Sequence, residues 1–286
     1  LKCSLCKEKA VYLNPDYCKK HFLKYVEKKV ADTIKKFHLI DKNELVCVAV
    51  SGGKDSTSLL YILKKLGYKV EALAIDEGIS GYRNVTLDFL RDFCKKNNIK
   101  LTIKSYEEDF GKKLDKVVKK GEPACNICGT FRRHLLNKYA QDYSKIATGH
   151  NLDDEAQAVL MNILKAQTEM LGRQGPKTSK KDFVRKIKPL YFMKEKEIMA
   201  YAFLNKFNVP FIECPFASES FRGYVRDWLN KLETQTPGTK ENIVRHYLSI
   251  AGNLEKKQGV LDECPICGFP SSGGLCKACR IKASLL

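Results

Sequence analysis

Apolar and polar positions along this chain switch period repeatedly, and the switches follow a regular order. Residues 24–38 carry apolar side chains at helical spacing with lysines between them, which predicts a basic amphipathic helix. An apolar run at 45–50 reads as a buried strand, 56–66 as a helix and 69–75 as a second strand. The order then repeats, with helix over 85–97, strand over 100–106, helix over 130–143, strand over 145–148 and helix over 153–166. Such alternation predicts an α/β fold, a parallel sheet flanked by helices with ligands at the carboxyl ends of its strands. The polar, glycine-bearing stretch 172–186 predicts a mobile loop. A last strand over 187–190 and a helix over 194–207 follow, and the chain beyond 216 reads as helical and basic.

Charge narrows the classes of partner. The chain has 51 Lys plus Arg against 33 Asp plus Glu, a formal net charge of +18, and this field favours a polyanion such as RNA or DNA. A lysine-rich surface that only keeps the protein soluble accounts for the same number. No apolar run approaches the ~20 residues of a membrane span, and no leader pattern precedes the first helix. The expectation is a cytoplasmic protein with no membrane contact. Its 12 cysteines fall mostly in C-x-x-C pairs, which in such a chain point to metal rather than to disulfides.

The buried run at 45–50 ends directly in Ser51-Gly52-Gly53-Lys54-Asp55-Ser56, and a helix pattern starts at once. Strand, glycine turn and helix N-terminus together cradle phosphate through backbone N–H groups and the helix dipole. Ser51, Ser56 and Thr57 add hydroxyls and Lys54 adds a cation. A Walker loop needs Ser or Thr after its lysine, whereas Asp55 stands here, and an aspartate beside phosphates requires a Mg²⁺ between them. The segment closely resembles the S-G-G-x-D-S signature of the PP-loop ATP pyrophosphatases. The resemblance implies the PP-loop (adenine nucleotide alpha hydrolase-like) fold, ATP cleaved between its α and β phosphates, and AMP placed on an oxygen to be displaced. It also implies adenine near Ile75, and a second signature at residues 148–155 in which Gly149 approaches the nucleotide and Asp154 serves the metal. Simple N-capping of a helix accounts equally for Asp153 and Asp154.

Cys3, Cys6, Cys18 and His21, and at the other end Cys264, Cys267, Cys276 and Cys279, have the paired spacing of closed tetrahedral zinc sites. Basic residues beside them suit an RNA grip, and small metal-folded units without RNA contact would look the same. Four segments result: an N-terminal zinc finger at 1–23, a catalytic domain at 24–215, a basic helical region at 216–260 and a C-terminal zinc finger at 261–286. Cys125 and Cys128 form a further pair with no second pair near it. Cys47 in a strand and Cys94 in mid-helix read as inert core residues, so Cys214 is the natural third member.

From Cys3 through the glycine turn to Cys279, the chain resembles the archaeal and bacterial tRNA 2-thiouridine synthetases and their eukaryotic cytosolic relatives. The resemblance implies that Cys125, Cys128 and Cys214 hold a [4Fe-4S] cluster with one iron open to carry sulfide. Persulfide chemistry on a cysteine such as Cys128 or Cys214 is the alternative. It further implies ATP, Mg²⁺ and two structural zinc ions as cofactors, and tRNA as substrate. The sulfur donor would be sulfide or a thiocarboxylated ubiquitin-like protein, and the assembly a homodimer. The uridine O2 would be adenylated, with Asp55, Lys54 and the three cysteines acting in catalysis and wobble position 34 favoured over 54. The rival readings are a PP-loop amidotransferase or lysidine-type synthetase, and a zinc-dependent RNA-binding protein with an inactive nucleotide fold. His134 and His150 read as structural rather than as acid–base residues.

Overall fold

The computed structural model describes residues 1–118, 124–178, 183–216, 221–254 and 261–284. Parts of the expected loop at 172–186 and of the 216–260 region therefore lie outside the described residues. The chain begins with two isolated bridges, Lys2 with Lys9 and Tyr12 with Tyr17, which shape the N-terminal cysteine unit. Helix α1 (Lys19–Phe37) starts directly after Cys18, so His21 sits in its first turn, earlier than the apolar spacing alone predicts. Strand β1 (Leu45–Ala49), helix α2 (Lys54–Lys65), strand β2 (Lys69–Asp76), helix α3 (Arg83–Lys96) and strand β3 (Leu101–Ser105) follow in the expected alternation. Two short helices, α4 (Tyr106–Phe110) and α5 (Leu114–Val117), lead to α6 (Ala124–Tyr139), β4 (Lys145–Thr148) and α7 (Leu152–Leu164).

The remainder departs further from the periodicity. After α8 (Thr168–Gly172), residues expected to be loop form β5 (Lys177–Thr178), antiparallel to a two-residue β6 (Lys186–Ile187). The strand expected over 187–190 is thus shorter and shifted, because Leu190 has already turned away into the core. Helices α9 (Glu195–Leu204), α10 (Phe221–Gln235) and α11 (Thr239–Ile250) come next. A hairpin of β7 (Asp262–Glu263) and β8 (Pro270–Ser271) and helix α12 (Lys277–Ser284) build the C-terminal cysteine unit.

The sheet order is β3-β2-β1-β4-β6-β5, with every pair parallel except β5–β6. Strand alternation sorts side chains to two cores. Val46, Val48, Val70, Ala72 and Ala74 face α1, α2, α3 and α9, whereas Cys47, Leu73 and Ile75 face α4, α6 and the C-terminal cysteine unit. Helices α7, α10 and α11 bury a third cluster around Leu152, Val225 and Val244. The chain runs from β1 outward through β2 to β3, then returns to β4 on the other side of β1. At that reversal the loops after β1 and β4 diverge, and a crevice opens at the strand ends. Among the described residues no helix is long and apolar enough to cross a membrane.

Candidate active site

The crevice is lined by the turn after β1, the segment after β4, and the end of β2, around a cavity of about 290 Å³. The turn is internally braced: Ser51 N–H donates to Ser56 Oγ (3.1 Å), Gly53 N–H reaches Ser51 Oγ (3.3 Å) and Ser56 Oγ donates to Gly53 O (3.2 Å). Gly52 has φ +86°, and a Cβ there would lie 2.7 Å from the Thr86 carbonyl oxygen, so both conformation and space require glycine. Gly149 is glycine for a related reason, since its Cβ would meet Ser56 N at 2.8 Å and Asp55 C at 3.1 Å. What it approaches closely is the phosphate turn itself, and it reaches the cavity from there. Ser51, Asp55, Ser56, Ile75 and Asp154 also line the cavity. Thr57 is buried and is not part of the lining.

Two carboxylates are bridged by an amide. Asn151 Nδ2 donates to Asp55 Oδ1 (3.1 Å), while the Asn151 and Asp154 side chains cap each other's backbone N–H groups at the start of α7. Capping and a place in the cavity therefore coexist in Asp154. Burial, with the Asp55 charge adding to it, pushes the Asp154 carboxyl up to about 6. Arg222 of α10 stands 3.7 Å from it. Lys54 turns away from the cavity, lying 3.0 Å from Asp55 Oδ2 and 2.7 Å from Glu195 Oε1. Burial acts against its charge, but the two carboxylates outweigh it and hold its pKa above the ordinary value. Asp153 is structural: it pairs with Lys240 and accepts the Glu195 N–H, tying α7 to α11 and α9.

Sequence reasoning passes over the opposite wall. Arg83, almost fully buried, donates from Nε to the Ile75 carbonyl (2.9 Å) and from Nη1 to the Ser51 carbonyl (2.5 Å). One side chain thereby fixes the spacing between the phosphate turn and the end of β2. Its Nε lies 2.8 Å from Glu77 Oε2, and Arg132 Nη1 lies 3.8 Å from Glu77 Oε1. The available signals were position alone: Glu77 follows a strand end, and Arg132 is four residues beyond Cys128. His150 lines the cavity and bonds Thr148 Oγ1 through Nδ1 (2.9 Å). Loss of water, then Lys188, Arg222, Arg132 and Lys186, push its pKa down to about 3, so the ring is neutral near pH 7.

Of the three further cysteines, Cys128 and Cys214 lie near Glu77 and Arg132, and Cys125 lies near Cys214. Cys128 and Cys214 both feel Glu77 and Arg132, Cys214 feels Cys125, and Cys125 Sγ lies 3.5 Å from the Phe216 carbonyl. Tyr106 donates its hydroxyl to the Cys128 carbonyl (2.7 Å) and sits 3.5 Å from its sulfur. Burial first, then Glu77, raises the Cys128 thiol above its usual pKa; burial also raises Cys214.

Cys3, Cys6, Cys18 and His21 bring one ligand atom each to within 4.8 Å of one another, as do Cys264, Cys267, Cys276 and Cys279. The Cys6–Cys18 and Cys267–Cys276 sulfur separations are both 3.7 Å. A tetrahedral ion with metal–sulfur bonds of ~2.3 Å requires a sulfur–sulfur edge of about 3.8 Å. Cys125, Cys128 and Cys214 do not form such a group.

A nucleotide crevice at the sheet reversal, with S-G-G-K-D-S at its base, defines the class: residues 23–232 match the family described as PP-loop domain. The tRNA-5-methyluridine(54) 2-sulfurtransferase of Pyrococcus horikoshii is 41% identical, over 98% of this chain and 93% of that one. Cytoplasmic tRNA 2-thiolation protein 1 of Laccaria bicolor is 34% identical, over 99% and 85%. The structure of the U34-tRNA thiolase NcsA from Methanococcus maripaludis with its [4Fe-4S] cluster superposes with a TM-score of 0.86 at 33% identity, covering 99% of this chain and 96% of that one. The chain belongs to this PP-loop family of tRNA 2-thiolation enzymes, the tRNA sulfurtransferases.

Proposed function

We propose that this chain converts the C2 carbonyl of a tRNA uridine to a thiocarbonyl, using ATP, Mg²⁺ and sulfur delivered from Cys125, Cys128 and Cys214. One observation carries the reading. The cavity based on the phosphate turn is walled by Glu77 and Arg132, and those same two groups act on Cys128 and Cys214.

ATP lies with its phosphates on residues 51–56 and its adenine toward Ile75. Asp55 and Asp154 hold Mg²⁺, which offsets the repulsion between two carboxylates joined only through Asn151. The uridine O2 attacks the α-phosphorus, the α–β bond breaks and pyrophosphate leaves. A carbonyl oxygen is a poor leaving group, and adenylation turns it into one. A nucleophilic sulfur then attacks C2 and AMP departs, so the net change at carbon is oxygen for sulfur. Arg132 lines the cavity and also acts on Cys128 and Cys214, which puts it between the two half-reactions. Arg83 positions the turn rather than touching substrate, and Lys54 orients Asp55 from outside the cavity.

Three thiols that neighbour one another without closing on a single ion fit a polynuclear group, and the named relative from Methanococcus maripaludis carries a [4Fe-4S] cluster. Bound to Cys125, Cys128 and Cys214, such a cluster supplies a carrier for sulfide. Persulfide chemistry would instead need two of these sulfurs to approach within ~2.05 Å of each other when the disulfide forms. The terminal sites, closed and four-coordinate, hold structural zinc. The relative of greater identity is named for position 54, so the weight falls on that uridine rather than on position 34.

The test is anaerobic: iron, sulfide and zinc are measured per chain, and tRNA is digested and mapped by mass spectrometry after reaction. The expected result is about four irons lost on Cys128→Ser and 2-thiolation within the T-loop fragment. Full thiolation by a Cys214→Ser protein that contains zinc alone would overturn the cluster reading, and product in the anticodon fragment would overturn the choice of site.

A further inference from the structure

Helix α6 is the partition between two cavities. Arg132 and Leu136 face the nucleotide crevice, whereas Arg133 and His134 line a second cavity of about 250 Å³. The C-terminal cysteine unit closes it with Phe269 and Lys277, and Phe183 and Lys186 close the side toward the sheet edge.

Among the described residues its charge has no acidic partner. Neighbouring cations on α6 have acidic partners, Arg132 with Glu77 and Lys138 with Asp109. Among the described residues Arg133, Lys186 and Lys277 form no ion pair, although all three border one space. Burial, then Arg133 and Lys188, push Lys186 down to about 8, as happens when cations crowd without an anion.

Its other feature is aromatic. His134 lies 4.3 Å from Phe269 centroid to centroid, and Phe183 meets Phe269 edge-on at 5.2 Å. Burial lowers the His134 pKa, so the ring is neutral and adds to the apolar side. Cations beside half-buried aromatic rings are the recognition chemistry of an unpaired nucleotide, phosphate on the one and base on the other.

We infer that this cavity is a second nucleotide-binding site, which takes one unpaired nucleotide of the RNA substrate, its phosphate on Arg133, Lys186 and Lys277 and its base against Phe183 and Phe269. The inference rests on the reading of this chain as a tRNA-modifying enzyme, and it adds where the strand beside the target uridine is held. The two cavities are separated by a single helix, about 10 Å across, within reach of a short run of nucleotides. Holding a neighbour there offsets part of the cost of unstacking the target base.

The experiment measures tRNA binding by filter retention across a salt series, without ATP or sulfur donor, so that it succeeds or fails independently of thiolation. An Arg133→Ala/Lys277→Ala protein is expected to bind tRNA at least tenfold more weakly, with the slope of log K against log salt reduced by about 0.7, the share of the one phosphate the site holds. Phe269→Ala should weaken binding about tenfold at unchanged slope, and its zinc content and melting temperature are recorded. If that variant fails to fold, the double variant still decides. Binding within twofold of the parent at the same slope would overturn the inference. So would saturable binding of AMP or inorganic phosphate that is lost in the double variant while tRNA affinity stays unchanged, because the cavity would then be a small-anion site.

Discussion

Arg83 belongs to no motif, yet it does what the motif residues cannot do for themselves. Its three bonds to two backbone carbonyls set the distance between Ser51 and Ile75, the two ends of the proposed nucleotide site. It also neutralises Glu77, buried beside it. Arg83→Met leaves that carboxylate buried with only the more distant Arg132, a change that typically costs about 3 kcal/mol. The expected outcome is a loss of this size in chemical denaturation together with a higher KM for ATP. Normal stability in Arg83→Met would show that Glu77 finds another partner. Gly149→Ala is the converse case, since its Cβ would press on Ser56 N, so KM for ATP should rise more than tenfold while stability falls by only ~1–3 kcal/mol. Lys186 gives a pH effect. It is faced by Arg133 and His134 from α6, by Lys277 from the C-terminal unit and by Lys188 along its own segment. With its pKa down at about 8, it is charged below that pH and neutral above it, so RNA affinity should fall as pH rises from 7 to 9. Lys186→Arg, charged throughout, should flatten that fall. Equal pH profiles in both proteins would remove Lys186 from the RNA contact.

At the scale of elements, what was legible in the sequence was whatever repeats a period or a spacing. The buried strands, the amphipathic helices and both four-ligand knots announce themselves because one physical requirement acts on several residues at once. Thus 45–50, 69–75 and 145–148 are strands within a residue or two. The two-residue β5 and β6 carry no such signal, because a pair of residues is too short to alternate. Helix α1 begins earlier than its apolar stripe because Cys18 and His21, as members of one four-residue cluster, set the geometry of its first turn. That continuity makes the N-terminal knot a staple for the core. Phe22, fully buried, follows His21 directly, and Cys18→Ser should fray the first turn. Losing Phe22 from the core costs about 2 kcal/mol, which corresponds to a drop of ~4–8 °C in melting temperature. Zinc analysis of the same protein should show one ion fewer per chain. An unchanged melting temperature with the ion lost would mean that α1 is held by its later turns alone.

Across the whole molecule, the proposed mechanism assigns the two halves of the reaction to different structural units around one crevice. The phosphate turn, Gly149 and Asp154 stand on the loops after β1 and β4, and their geometry depends on Arg83, Asn151 and the sheet reversal. The thiols stand on α6 and the segment near 214–216, and Glu77 and Arg132 of the crevice wall act on two of them. No sequence pattern joins Cys125 and Cys128 to Cys214; the fold does so, by laying the chain beyond α9 back against α6. Separate supports predict separable chemistry. Cys128→Ala should abolish 2-thiouridine formation while tRNA-dependent release of pyrophosphate continues, because nothing that braces the phosphate turn touches that sulfur. Asp55→Ala should slow both by roughly a hundredfold or more, since loss of the metal removes several kcal/mol of stabilisation from the adenylation step that precedes sulfur entry. Pyrophosphate release and nucleoside analysis on the same reaction distinguish the two. A Cys128→Ala protein of normal stability that releases no pyrophosphate would mean that the thiols shape the adenylation site as well, and the division between turn and helix would fail.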